Sequence, residues 1–96
     1  MTSKQRAYLR SLANRIPALH QIGKNGIDDS FVNQILDALE ANELIKIHVL
    51  ENAQKSPREM CEELTEKTAS HPVQVIGSKF VIYKESIHKK KIELPK

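Results

Sequence analysis

The sequence predicts a single α+β domain, a two-layer sandwich with a mixed four-stranded sheet and the element order α-β-α-β-α-β-β. Three observations support this prediction. Apolar residues recur at helical spacing in three segments, they alternate or run together in four shorter segments, and turn residues separate the two kinds of segment. Two strand-helix-strand crossovers should give parallel neighbours, and the last two strands should form an antiparallel hairpin.

The composition is that of a small soluble protein with an aliphatic core. The 96 residues are 40% hydrophobic and 28% charged, with no tryptophan and two phenylalanines, a balance typical of one globular domain. The single cysteine, Cys61, excludes an internal disulfide and favours a reducing compartment. No apolar run approaches the roughly 20 residues of a membrane span, and the basic N-terminus lacks the apolar stretch of a secretory signal. We therefore expect a cytoplasmic protein without a membrane partner.

The first helix is expected to begin after Thr2, because Thr2 and Gln5 have the spacing of a capping box. Its apolar stripe ends before Pro17, which disfavours the α conformation in the residue that precedes it. The stripe consists of Tyr8, Leu9, Leu12, Ala13 and Ile16. A strand is predicted for residues 18–22, and the sequence does not decide how this helix packs.

The second helix is predicted to follow a cap at Asp28 or Asp29 and to stop at Asn42, a residue type that tolerates the left-handed conformation. Its apolar stripe should be buried and its polar positions should face water. The stripe is Phe31, Val32, Ile35, Leu36 and Leu39, and the polar positions are Asn33, Gln34, Asp37 and Glu40. Residues 44–50 alternate as a strand does.

The third helix has the clearest start in the chain, with serine, proline and glutamate at the N-cap, N1 and N3 positions of Ser56-Pro57-Arg58-Glu59. Strands at 73–76 and 80–83 then flank a short turn, which predicts a hairpin. One face of the sheet is strongly apolar, and the other is too polar to be wholly buried. The polar positions are Gln21, Lys46, His48 and Gln74.

The C-terminal segment differs from the rest of the chain. From Lys84 onwards the sequence is rich in lysine and weakly periodic, and it ends in Pro95-Lys96. We therefore predict one domain in residues 1–85, followed by an extended basic tail in residues 86–96. This tail is expected to add binding affinity and no stability.

A Gly-Lys-Asn-Gly segment, Gly23–Gly26, lies between the first strand and the second helix. Glycines permit positive φ and allow another chain to approach without an intervening Cβ. Free N–H groups at a helix start attract anionic oxygen, and Lys24 and Asn25 add a cation and a polar group. Such a loop suits the clamping of a phosphate backbone in single-stranded RNA. A tight turn that needs two glycines explains the same residues, and Asp28 and Asp29 oppose an anion site.

Charge is distributed unevenly along the chain. Residues 1–26 contain five basic residues and no acidic one, residues 27–72 contain ten acidic and four basic ones, and residues 73–96 contain six basic and two acidic ones. This pattern favours a basic face opposite an acidic one, which would orient a polyanion. Basic terminal segments that are merely solvated would give the same pattern.

Signatures of catalysis and of metal binding are missing. The four histidines are scattered, and none lies at metal-ligand spacing from another or from Cys61. No nucleophile elbow, Walker loop or dinucleotide fingerprint occurs. Cys61 lies on an apolar helix stripe, where a small core residue is expected. We expect no enzyme activity, no cofactor and no small-molecule substrate.

Several segments, taken in order, resemble one family. They are Thr2–Arg6 with Leu9–Ala13, Gln21–Ile27, Glu43–Ile47 and Val73–Lys84. Together they resemble the bacterial stand-alone CRM domain, the YhbY-like proteins of the chloroplast RNA splicing and ribosome maturation family. The similarity extends over residues 2–84.

The resemblance implies an RNA-binding fold akin to the C-terminal domain of translation initiation factor 3. It also implies association with precursors of the large ribosomal subunit, through their rRNA, and a role in ribosome maturation. The RNA-contacting loop and the basic surface of the family map onto Gly23, Lys24, Asn25, Gly26, Lys4, Arg6, Arg10 and Lys84.

We expect phosphate contacts without strong sequence readout, because aromatic residues are scarce and only Tyr8 and Tyr83 are candidates for base stacking. The alternative is a protein-interaction module that binds a ribosomal or assembly-factor partner through the acidic third helix. In both cases the protein is expected to be a monomer.

Overall fold

The computed structural model describes residues 1–96 and contains three helices and four strands. The helices are α1 (Ser3–Ala13), α2 (Asp29–Asn42) and α3 (Pro57–Thr68). The strands are β1 (Ala18–Ile22), β2 (Leu44–Val49), β3 (His71–Ile76) and β4 (Lys79–Tyr83). The predicted α+β class, the element order and the mixed four-stranded sheet are confirmed. None of the helices combines the length and the apolar composition needed to cross a membrane.

All three helices begin where the sequence predicts. Thr2 and Ser56 each form a capping box, with Gln5 and Glu59 respectively. α2 begins after Asp28, whose side chain serves as the N-cap. These local hydrogen bonds satisfy backbone donors that have no partner within the helix, so that the start of each helix is fixed by a few adjacent residues.

The sheet has the strand order β1-β2-β4-β3. β1 and β2 are parallel neighbours joined through α2, as predicted. For β2 and β3 the predicted adjacency is wrong, because β4 lies between them. Both pair antiparallel with β4, so that β2 and β3 run in the same direction, as predicted. The nearly continuous apolar sequence of β4 is typical of a central strand that is covered on both faces. Pro72 is typical of an edge strand such as β3, because proline has no N–H to donate to a neighbouring strand.

Apolar side chains are buried on both faces of the sheet. Helices α2 and α3 cover the first face, where the larger cluster includes Cys61 as predicted. Burial raises the pKa of the Cys61 thiol to about 11. Helix α1 packs on the second face against a smaller cluster that includes Leu44, Val73, Val81 and Tyr83. α1 thus adds a partial third layer, which the sequence left undecided.

The end of α2 differs by one residue from the prediction. Glu43, and not Asn42, has the positive φ (66°). The Glu43 side chain is fully buried, and its carboxylate accepts hydrogen bonds from the backbone N–H groups of Ser86, Lys91 and Ile92. These donors replace the water that burial removes, so the buried charge is satisfied by the C-terminal segment.

The C-terminal segment, residues 86–96, contains no helix or strand but packs on the domain. Ile92 and Leu94 lie against the smaller cluster on the second face. The expectation that this tail adds nothing to the fold is therefore wrong. The sequence did not reveal this packing because the apolar residues of the tail are few and not periodic. Most of the hydrogen bonds that hold the tail are donated by backbone N–H groups, which are present in any sequence.

Glu40 provides the second anchor of the tail. Its carboxylate accepts hydrogen bonds from the backbone N–H groups of Ile87 (3.0 Å) and His88 (2.9 Å) and from the hydroxyl of Ser86 (2.8 Å). The prediction that Glu40 faces water is wrong, because the C-terminal tail packs beside α2 and covers part of the Glu40 side chain.

Acid is expected to detach the tail. Hydrogen bonds from the tail lower the pKa of Glu40 to about 2. Burial acts to raise the pKa of Glu43, but hydrogen bonds from the tail outweigh it and the pKa is lowered. Because each pKa is lower in the folded protein, the stabilisation is complete above the ordinary value of 4.5 and is lost as the pH falls towards 2. Methyl NMR signals of Ile92 and melting curves across this range measure the effect, and a tail that stays attached at pH 2 would contradict it.

Candidate nucleic-acid interface

The Gly23–Gly26 loop is a tight turn that connects β1 to α2. The backbone N–H of Gly26 donates to the carbonyl of Gly23 at 3.1 Å, and Gly26 has a φ of +67°. Lys24 and Asn25 form the exposed tip, and their backbone N–H groups donate to no acceptor within the protein. The tip thus presents two free backbone donors together with one ammonium group.

The two glycines of the loop differ in what the fold requires. Gly26 needs to be glycine because of its positive φ. Gly23 has no positive φ, and a Cβ there would meet only Asn52 and Leu50, each at the ordinary contact distance of 3.6 Å. The tight turn therefore explains Gly26 and leaves Gly23 unexplained. Close approach of a ligand to the backbone is the other common reason for a glycine.

The N-terminus of α2 is not open to an anion. Asp28 accepts a hydrogen bond of 2.8 Å from the backbone N–H of Phe31, and Asp29 adds a second carboxylate in the first turn. The positive end of the helix dipole is thus already matched by negative charge. A phosphate at the loop would have to be held by Lys24, Asn25 and the loop backbone.

A row of side chains crosses the second face of the sheet at the same end as the loop. The strand register places Gln21 opposite His48, His48 opposite Lys79, and Lys79 opposite Ile76. Gln21, Lys79 and Ile76 are exposed, and His48 is half-buried, because α1 packs over the other end of this face. With Lys46 from the next row, these residues form the open sheet surface, which contains no carboxylate. The prediction that this face is not wholly buried is confirmed.

Three of the predicted basic residues, Lys4, Arg6 and Arg10, lie on α1 and therefore on the same side of the sheet as the open sheet surface. Lys4 and Arg10 are exposed, and Arg6 is half-buried in a shallow depression beside β3. None of the three forms an ion pair within the protein. Their charges are available to an external anion.

Lys84 is separated from these residues. It follows β4, at the end of the sheet away from the loop, and its ammonium group donates to the carbonyl of Thr68 at 2.9 Å. A positive charge there also stabilises the C-terminus of α3. Tyr83 is buried, so that only Tyr8, which is 40% exposed, is placed to stack on a base.

Two lysines of the open sheet surface, Lys46 and Lys79, were not among the predicted site residues. The place of Lys46 could have been predicted from the sequence, since Lys46 alternates with the buried Ile45 and Ile47 and must therefore lie on the polar face. The place of Lys79 could not have been predicted in this way, because its position beside His48 depends on the register between β2 and β4.

Comparisons with known proteins identify relatives over the whole chain. The family described as the CRS1/YhbY (CRM) domain matches residues 1–84. The chain is similar to the probable RNA-binding protein YqeI of Bacillus subtilis, with 44% identity over 95 residues and 99% of each chain covered. It is also similar to a protein described as an RNA-binding protein in Haemophilus influenzae, with 29% identity over 96 residues, covering 100% of this chain and 96% of the relative.

The fold is also found among solved structures. It is similar to the solution structure of the hypothetical protein SAV1595 from Staphylococcus aureus, described as a candidate RNA-binding protein. The TM-score is 0.82, with 54% sequence identity and 99% of each chain covered. The descriptions of these relatives name RNA binding and no enzyme, in agreement with the expectation from the sequence.

Proposed function

The chain belongs to the CRS1/YhbY (CRM) domain family, and from this membership we propose that it binds RNA. The contact surface in this proposal is the Gly23–Gly26 loop together with α1 and the open sheet surface. Relatives described as RNA-binding proteins support the proposal. The observation that carries it in this chain is the distribution of charge across the sheet.

The charges on the two sides of the sheet have opposite signs. On the second face, α1 contains three basic residues and no acidic one, and the open sheet surface adds Lys46 and Lys79. On the first face, α2 contains three acidic residues and no basic one, and α3 contains four acidic and two basic ones. A polyanion is attracted to one side and repelled by the other. Merely solvated termini would not gather cations from α1, β2 and β4 on one side.

The loop supplies the points of closest contact in this mechanism. The Lys24 ammonium group and the free backbone N–H groups of Lys24 and Asn25 can each donate to a phosphate oxygen. Gly23 has no side chain and allows the RNA strand to approach the protein backbone. Base-specific recognition is expected to be weak, because Tyr8 is the only aromatic side chain among the exposed large hydrophobic ones. The shape of the RNA backbone would then determine which sites are bound.

We further propose that the RNA belongs to precursors of the large ribosomal subunit and that the protein acts in ribosome maturation in the cytoplasm. The family resemblance supports this step. The apolar clusters on both faces are covered by the chain's own helices and tail, which supports a monomer. Sedimentation of a lysate tests the assignment: the protein should migrate with large-subunit precursors, and its absence from all ribosomal fractions would contradict it.

A salt titration of RNA binding tests the proposed contact. Five phosphate contacts, made by Arg6, Arg10, Lys24, Lys46 and Lys79, would give a slope of about −3.5 in log affinity against log salt for a single strand. An affinity that is independent of salt would contradict a contact made through phosphates. Binding to a ribosomal or assembly-factor protein in the absence of RNA would favour the alternative, an interaction module that uses the acidic face of α3.

A further inference from the structure

A cavity of about 490 Å³ lies between the end of α1, the first residues of β1 and β2, and the C-terminal tail. This volume is that of a small-ligand site. Leu12, Ile16, Leu19 and Ile92 contribute apolar walls. Leu19 is 77% exposed at the rim and therefore offers an apolar surface that nothing in the protein covers.

Three cations line the same cavity, and none of its lining residues is acidic. Arg15, Lys46 and Lys91 come from separate parts of the chain, and the fold brings them together. None of them forms an ion pair within the protein. Like charges around one cavity repel each other, and a bound anion would relieve this repulsion. The cavity therefore combines three cations that form no ion pair within the protein with an apolar wall.

We propose that this cavity binds one unstacked nucleotide of a single-stranded RNA, with its phosphate near the cations and its base against the apolar wall. The proposal rests on the proposed function and adds a second contact to the loop. Inorganic phosphate, or a peptide with acidic side chains alone, would match the cations but leave the apolar wall of Leu12, Ile16 and Leu19 exposed. A nucleotide satisfies both features.

The position of the cavity fits an RNA strand that also reaches the loop. The cavity lies at the first residues of β1, and the Gly23–Gly26 loop follows its last residue. At about 3.3 Å per residue the strand separates the two sites by about 15 Å, a distance that a short single-stranded segment can span. Gln21, on the exposed face of β1, lies between them.

The test compares binding of the full-length chain to a short oligouridylate and to an abasic oligomer of the same length. Leu19→Ala should weaken binding of the oligouridylate about three-fold and leave binding of the abasic oligomer unchanged, because only the base meets the apolar wall. The matched control is Ile87→Ala, which removes another apolar side chain that is 83% exposed. This control should bind both oligomers as tightly as wild type.

The cations are tested separately. Arg15→Gln with Lys91→Gln, which leaves Lys46 of the open sheet surface in place, should weaken binding of both oligomers and make the salt slope shallower by about 1.4, the value for two lost contacts to a single strand. Lys89→Gln with Lys96→Gln removes the same charge from exposed positions and serves as the control. Arg15→Gln alone, at an exposed position outside the tail, keeps the test valid if Lys91→Gln loosens the attachment of the tail.

Uridine monophosphate provides a readout that does not depend on RNA affinity. Its titration should shift the NMR signals of Ile16, Leu19 and Ile92, also in a variant of the Gly23–Gly26 loop that binds RNA more weakly. If wild type binds RNA but the cavity variants bind like their controls, the cavity site is overturned while the proposed function stands. If wild type binds no RNA, the proposed function fails, and the nucleotide titration alone decides on the cavity. Equal shifts with inorganic phosphate or an acidic peptide would overturn the nucleotide assignment.

Discussion

Truncation after Glu85 is expected to destabilise the protein by about 3 kcal/mol, although the deleted residues form no helix or strand. Ile92 and Leu94 would no longer pack against the smaller apolar cluster. The fully buried carboxylate of Glu43 would lose three N–H donors, and water entering the gap would replace them only in part. In a domain of this size the melting temperature should fall by more than about 10 °C.

A further variant separates the effect of packing from the effect of charge. Replacing Lys89, Lys90 and Lys96 by glutamine keeps the apolar and backbone contacts of the tail and should leave the melting temperature nearly unchanged. The ion pair lost in that variant, Lys90 with Glu85 at 3.3 Å, is exposed and contributes little. A truncated protein that melts within a degree or two of the full chain would show that the tail adds no stability.

Glu43→Gln connects the loss of stability to its cause. The backbone N–H of Ser86 donates to one carboxylate oxygen of Glu43, and those of Lys91 and Ile92 donate to the other. The amide side chain of the glutamine variant has only one oxygen, so its NH₂ group must face at least one of these donors. The substitution should lower the free energy of unfolding by about 1–3 kcal/mol in the full chain and by less in the truncated one. Equal effects in both backgrounds would mean that Glu43 does not act through the tail.

The sequence predicts the elements of this fold well where their signals are local. The starts of α1 and α3 follow from capping boxes at Thr2 and Ser56, which involve neighbours three residues apart. The position of β4 between β2 and β3 could not be derived in the same way, because it depends on which strand fills the centre of the sheet. The anchoring of the tail was missed for a related reason: Glu40 and Glu43 bind backbone groups, and these carry no sequence signal.

The candidate interface was predictable in part for the same reasons. The exposure of Lys24 and Asn25 follows from a short glycine-flanked turn, and that of Lys4 and Arg10 from the helical period. The grouping of His48 with Lys79 requires the strand register. The hydrogen bond of Lys84 to the end of α3 requires the packing of that helix against β4. Contacts between elements distant in sequence are not encoded in any local pattern.

Replacing Lys24 and Asn25 together by aspartate is expected to weaken RNA binding about 5- to 30-fold while the fold is kept. Both side chains are exposed at the tip of the turn, and the substitution leaves both glycines in place. Two carboxylates would then stand where the proposed phosphate lies, close to Asp28 and Asp29. Repulsion of ~1–2 kcal/mol corresponds to that loss of affinity.

The measurement is the affinity for large-subunit RNA together with a melting curve. Asn33→Asp with Lys96→Asp serves as the control, because it changes the net charge by the same amount at exposed positions outside the loop. It should bind more tightly than the loop variant. If the loop variant melts normally and binds as tightly as wild type, the loop is only a turn. The RNA contact would then have to be sought at Lys4, Arg6 and Arg10.

The two glycines distinguish a phosphate clamp from a turn by opposite responses. Gly23→Ala should leave the stability unchanged or raise it by up to about 1 kcal/mol, because alanine fits the native backbone and restricts the unfolded chain. In the proposed contact it should still weaken RNA binding, because the added Cβ would take up space beside the loop backbone, between Gly23 and the side chains of Leu50 and Asn52. Gly26→Val should instead lower the melting temperature, because a β-branched residue is strained at a φ of +67°. A Gly23→Ala variant with wild-type affinity would show that RNA does not approach the backbone there, and the free N–H groups of Lys24 and Asn25 would then lose their proposed role.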